Sequence, residues 1–324
     1  MFEINKKNAR SWSRMGSRAM YGQALSAFAA MNSNVLAMSA DLGRSSGLVR
    51  FSKEYPDQFI NTGIAEQNMV GCAAGLARVG FDVFASTFAP FASMRASEQV
   101  RMNMGYMGEP VKLVALGSGL SMGFLGNSHY GLEDVAVMRT VPGLTIVAPA
   151  DCAEIIKTIE ALIGYDKPVY IRLTGAVSTP IVYDEEYDFE IGKAVWIDEP
   201  KEINLVSSGS SVGHCKGAVQ MLKEKGFEVG LLNLHTIKPL DIDALNTCVK
   251  RSNMLITVEE HTLVGGLGSA VLDYVTQMGF QGQFSMHGIN DSFVETGDYS
   301  YLLERNALDK AGIYAHVLSC IEGR

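Results

Sequence analysis

FINTGIAEQNMVGCAAGLARVG, residues 59–80, reads as the end of a β-strand, a turn at Gly63 and the opening of an Ala/Gly-rich helix at IAEQ. Glu66 falls in the first turn of that helix, where a carboxylate complements the helix dipole. It is not half of a capping box, because the residue three before it is Gly63 rather than Ser or Thr. An acid at this point of a strand–turn–helix can also serve chemistry, and both readings of Glu66 stand. The small residues that follow, Gly71, Ala73, Ala74, Gly75 and Ala77, let another surface pack very closely on the helix, which favours a buried, shared face.

The same alternation extends in both directions. Short β-rich runs at 34–40, 59–63, 82–86, 111–118, 144–150 and 168–173 are separated by helical stretches at 64–79, 91–107, 131–140 and 151–164. This is the cadence of an α/β fold, a mainly parallel sheet flanked by crossover helices. Residues 178–200, with two prolines and a concentration of acids, break it as domain edges do, and place a boundary near residue 188. Two domains, 1–188 and 189–324, are therefore expected. The second has strands at 203–209, 229–235, 253–260 and 283–289 and helices at 212–225, 241–251, 267–279 and 309–321.

Composition narrows the function classes. With 324 residues, of which 47% are hydrophobic and 19% charged, the chain can bury two cores. No stretch approaches the roughly 18 apolar residues of a membrane span, and the N-terminus lacks the apolar core of a secretory signal, so a cytoplasmic location is expected. Five cysteines, at 72, 152, 215, 248 and 320, contain no CxxC pair and suggest reduced, mostly buried thiols rather than disulfides or a zinc ribbon. A net charge of −8 argues against a nucleic-acid surface and requires any anionic substrate to meet locally placed Arg or Lys.

Two further segments could carry chemistry, and a third only resembles one that does. STFAPFASMRASEQVRM (86–102) sets Phe88 and Phe91 just past a strand end, with Met94 three further on; the two rings either pack in the core or enclose a flat heterocycle. GLSMGFLGNSHYGLEDVAVMR (119–139) is a Gly-rich loop carrying His129 among Asn127, Ser128 and Tyr130, at a strand C-terminus where such loops line ligand crevices. VGGLGSAV (264–271) misses the GxGxxG spacing of a dinucleotide loop and reads as a tight turn into a helix, and no GxxxxGK[ST] phosphate loop occurs.

Taken in order and spacing, DLGRSSGLVRFSKEYPDQFINTGIAEQNMVGCAAGLA (41–77), STFAPF, SHYGLED, VPGLTIVAPAD and YIRLTG resemble the pyrimidine-binding domain of the transketolase family, including the deoxyxylulose-phosphate synthases. LLNLHTIKPLD (231–241), TVEEHTLVGGLGSAV (257–271) and GINDSFVETGD (288–298) resemble its C-terminal domain. The resemblance implies thiamine diphosphate as cofactor and transfer of a two-carbon ketol unit from a ketose to an aldose. The family holds the diphosphate and its Mg²⁺ or Ca²⁺ through a GDG motif in another domain, and this chain has no GDG. A split enzyme is therefore implied, with a partner subunit carrying that motif, in a dimer of heterodimers.

Residue by residue, the resemblance makes Glu66 the proton-relay acid on N1′ of the aminopyrimidine. Phe88 and Phe91 become the aromatics packing on that ring, and Asp41 an acid near the cofactor at the subunit interface. His129 becomes the histidine that hydrogen-bonds the donor sugar, and Arg18, Ser45 or Ser46 and Arg172 the grip on its phosphate. Met94 stands where transketolases carry a Tyr. A β-type subunit of a 2-oxoacid dehydrogenase and a catalytically silent interaction subunit are the alternatives.

Overall fold

The computed structural model describes residues 2–323. Its strands are β1 Val35–Ser39, β2 Phe59–Asn61, β3 Asp82–Phe88, β4 Lys112–Leu116, β5 Thr145–Val147, β6 Val169–Leu173, β7 Val195–Asp198, β8 Ile203–Ser207, β9 Val229–Asn233, β10 Thr236–Lys238, β11 Met254–Thr262 and β12 Gln283–Ile289. They form a seven-stranded sheet of order β10-β5-β6-β4-β3-β1-β2 and a five-stranded sheet of order β12-β11-β8-β9-β7. All pairings are parallel except β10 on β5 and β7 on β9. Strands β1, β3, β4 and β6 are buried along their whole length, as expected of parallel strands covered by helices on both faces. Among the described residues no helix is long and apolar enough to cross a membrane.

The sheet changes direction at β1, which has β2 on one side and β3 on the other. Open α/β sheets bind ligands outside the carboxyl ends of strands at such a switch point. Asp41 follows β1, Glu66 opens the helix Glu66–Arg78 after β2, and Phe88 ends β3, so three of the sequence-predicted residues collect there.

Several elements differ from the sequence expectation. Helices Lys6–Met15 and Ser17–Ala29 precede the first strand, and the second buries Met20, Tyr21, Ala24 and Leu25 against the sheet, where Tyr21 hydroxyl meets Ser86 Oγ at 2.8 Å. The expected single helix over 91–107 is instead a π-helical turn Phe91–Arg95, a short α segment Ser97–Gln99 and a second π-helical stretch Val100–Tyr106. No regular element occupies residues 174–194. β10, from the second half of the chain, adds itself to the edge of the first sheet, and one apolar core runs from Ile146 and Ala148 through Val206 to Leu234 and Ile237. VGGLGSAV is indeed a turn into a helix, Leu267–Gln277. The buried Glu259 carboxylate accepts hydrogen bonds from the N–H groups of Leu267 (2.6 Å) and Gly268 (2.8 Å), and a Cβ at Gly266 would collide with it.

Candidate active site

Glu66 begins its helix with Gly63 at φ 71° making the preceding turn. Its side chain is only 3% exposed, and Oε1 accepts a hydrogen bond from Arg95 Nη1 at 2.8 Å. Oε2 accepts none from any described residue. A buried carboxylate with one oxygen held and the other open is arranged to bind a donor.

The aromatic wall stands next to it. Phe88 and Phe91 meet edge to face with centroids 5.9 Å apart, and His129 packs edge-on against both, at 5.8 Å from Phe88 and 5.3 Å from Phe91. Ser128 Oγ lies 2.9 Å from His129 Nδ1, which leaves Nε2 for a ligand. Met94 is 55% exposed and turns away from the apolar interior. The loop that presents His129 is fastened to the second half of the chain: Asn127 exchanges hydrogen bonds with the backbone of Val294 (2.7 and 3.1 Å), and Tyr130 hydroxyl donates to Gly123 O (2.6 Å) and Glu295 O (3.0 Å). Asn127 and Tyr130 therefore anchor the loop.

Arg18 enters from the other side. Its Cζ lies 6.0 Å from the Phe88 centroid, and Nη2 rests 3.1 Å from Met122 Sδ. Its Nε is buried without a hydrogen-bond partner, and burial lowers the pKa of the guanidinium. Gly175, at φ 104°, leaves room for this side chain, since a Cβ there would collide with Nε. Gly47 packs on the Arg18 carbonyl, which brings the turn holding Ser45 and Ser46 beside it; Ser46 Oγ is also buried without a partner. An orphaned guanidinium N–H and an orphaned hydroxyl on adjoining backbone suit an anion.

Arg172 does not join them. It is 6% exposed, with Nε donating to Asp134 Oδ1 and Oδ2 (3.1 and 3.0 Å) and Nη2 donating to Gly131 O (2.9 Å) and Glu260 O (2.8 Å). Nε and Nη2 of the residue expected to grip a substrate tail serve instead as a strut that ties β6 to the His129 loop and to β11. Glu260 reinforces the same junction, accepting from Leu120 N (2.7 Å), Ser210 Oγ (2.5 Å) and Tyr299 hydroxyl (2.7 Å).

Asp41 sits exposed at φ 59° and pairs through its backbone and carboxylate with the Asn61 side chain, at 3.0 and 3.2 Å. Ile64 (79% exposed), Gly71, Cys72 and Gly75 share the uncovered face of the Glu66 helix. No Cβ at Gly71 or Gly75 would touch anything within this chain.

The model of the transketolase pyrimidine-binding domain matches residues 13–176, and that of the transketolase C-terminal domain matches residues 192–313. The chain belongs to the transketolase family. It is 36% identical over 94% of its length to a putative transketolase C-terminal section of Methanocaldococcus jannaschii, covering 95% of that protein. It is 34% identical over 94% of its length to one of the subunits of an apulose-4-phosphate transketolase from Phocaeicola vulgatus, covering 97% of it. A solved structure described as a split gene transketolase, inactive beta4 tetramer, superposes with a TM-score of 0.84 at 34% identity, over 94% of this chain and 97% of that one. Within this transketolase-family chain, the group that sequence reasoning did not single out is Arg95. It lies in the 86–102 segment, but the only sign of its role is spatial, the π turn that brings it onto Phe91 and Glu66.

Proposed function

We propose that this chain is the pyrimidine-binding and C-terminal-domain subunit of a split transketolase, with its domains divided near residue 188. With a partner subunit it would transfer a two-carbon ketol unit from a ketose to an aldose, in a dimer of heterodimers. The observation that carries this reading is the contiguity of Glu66, Phe91, Phe88, His129 and Arg18 at the switch point of the first sheet. A silent interaction subunit has no use for a buried acid with a free oxygen beside an aromatic wall.

The open Oε2 of Glu66 and the adjoining rings fit an aminopyrimidine. When bound, thiamine diphosphate supplies a nucleophilic carbon and an electron sink for cleavage beside the ketose carbonyl. Glu66 would hold and return the proton at N1′. Phe88 and Phe91 exclude water from that exchange, and His129 Nε2 hydrogen-bonds the sugar oxygens near the breaking bond. Arg18 and Ser46 take the anionic tail, with Ser45 at its rim. The diphosphate and its Mg²⁺ or Ca²⁺ fall to the partner's GDG motif, across the uncovered face carrying Asp41, Ile64, Gly71 and Gly75.

The test is purification of this chain with a subunit carrying GDG, followed by assays of ketose–aldose exchange and of 2-oxoacid decarboxylation. Exchange without decarboxylation supports the proposal; decarboxylation alone makes the chain the β-type component of a 2-oxoacid dehydrogenase. In calorimetry with Mg²⁺, the chain alone is expected to bind thiamine diphosphate more weakly than about micromolar, roughly −8 kcal/mol. Tighter binding would place the diphosphate anchor within this chain.

In the assembled enzyme, Arg18→Ala is expected to raise KM for a phosphorylated ketose at least about tenfold, since a hydrogen bond to a charged group is worth about 1.5–3 kcal/mol. An uncharged donor should be little affected. Equal losses on both donors would move the tail site elsewhere.

A further inference from the structure

The guanidinium of Arg95 touches both halves of the proposed pyrimidine site. Nη1 donates to Glu66 Oε1 at 2.8 Å, and Cζ lies over the Phe91 ring, 3.9 Å from its centroid. This placement follows from local winding. The turn Phe91–Arg95 is π-helical, closed by Ala96 N–H on Phe91 O at 3.1 Å, and its wider circumference carries Arg95 back above Phe91. Gln67 Nε2 donates to the Arg95 carbonyl at 3.1 Å, fixing this turn to the helix that Glu66 begins.

The ion pair joins a buried acid to an arginine side chain that is 47% exposed. Fully exposed pairs contribute little, whereas here the carboxylate end is shielded from water and the arginine is held on an aromatic face. The geometry divides the carboxylate. One oxygen is fixed by the arginine, so the side chain cannot rotate freely, and the other accepts no hydrogen bond from any described residue.

We infer that Arg95 is the positioning residue of the relay: it holds Glu66 by Oε1 and so leaves Oε2 for the aminopyrimidine. The inference rests on the proposed role of Glu66 at N1′. Arg95 itself touches no reacting atom; it acts through Glu66 and Phe91.

Two variants test it in the assembled enzyme. Arg95→Met keeps an apolar stem on Phe91 and removes the charge, and Arg95→Lys restores the charge. Arg95→Met should lower kcat about tenfold, near 1.4 kcal/mol of barrier, while donor KM stays within about threefold. By calorimetry it should weaken thiamine diphosphate binding at least about threefold, and Arg95→Lys should recover most of both losses. Tighter cofactor binding by Arg95→Met would overturn the inference, because the arginine would then occupy the ring's place. So would an unchanged kcat, an equal loss in the Lys variant, or failure to assemble with the partner, which would make Arg95 an interface contact. Glu66→Gln, measured in parallel, separates the two levels. Full activity there removes the underlying assignment, whereas its loss beside a normal Arg95→Met removes only the role of Arg95.

Discussion

Glu66→Gln in the assembled enzyme is expected to lower turnover at least about 10²-fold, the usual loss when a general acid–base group is removed. The substitution preserves size and burial but cannot pass a proton through Oε2. Binding of the partner should be intact, because the uncovered face of the helix is formed by Gly71, Cys72 and Gly75, whereas the Glu66 side chain is buried. Donor KM should move far less than kcat, as befits a group that acts on the cofactor rather than on the sugar. Steady-state kinetics with saturating thiamine diphosphate measure this. A variant retaining a third or more of wild-type kcat would make Glu66 a helix-dipole partner and nothing more.

The second large effect is on stability. Asp134→Ala should cost about 3–5 kcal/mol, because it leaves the buried Arg172 guanidinium without its counter-ion. Asp134 also accepts a hydrogen bond from Tyr170 hydroxyl at 2.9 Å, so the loss reaches a second buried donor. Urea denaturation of the isolated chain gives the measurement. Replacing both charges, as in Asp134→Ala with Arg172→Met, should recover part of the loss, since an uncharged, packed pair avoids the unpaired ion. Arg172→Ala should damage phosphorylated and uncharged donors alike, through the His129 loop and β11. A KM effect confined to phosphorylated donors, with stability unchanged, would return Arg172 to the substrate.

The parallel strands and crossover helices were legible because hydrophobic period and Gly punctuation are local signals, and β1, β3, β4 and β6 follow them closely. Helices Lys6–Met15 and Ser17–Ala29 escaped although Asn5 caps the first, its side chain accepting from Asn8 N. The first helix reads as a basic polar stretch, since only Ala9 and Trp12 are buried. β7 and β10 are short edge strands whose pairing depends on partners distant in sequence, so no period announces them. The π winding of 91–106 is likewise invisible to a pattern that assumes 3.6 residues per turn.

By itself the sequence determined the α/β architecture, the strand–turn–helix that sets Glu66 in a first turn, and the ordered motifs by which the transketolase family is recognised. Each is carried by residues adjacent along the chain or by their linear order. The tertiary structure decided what each charge faces. Arg18 and Arg172 look equally free as letters, yet burial leaves Arg18 Nε without a partner and gives Arg172 to Asp134 and two carbonyls. Arg95, an unremarked basic residue in a helical run, is turned by a π bend onto the Glu66 carboxylate. Whether a cation serves a substrate, a strut or a neighbouring acid depends on the desolvation and the acceptors that folding brings to it, and neither exists before the chain has folded.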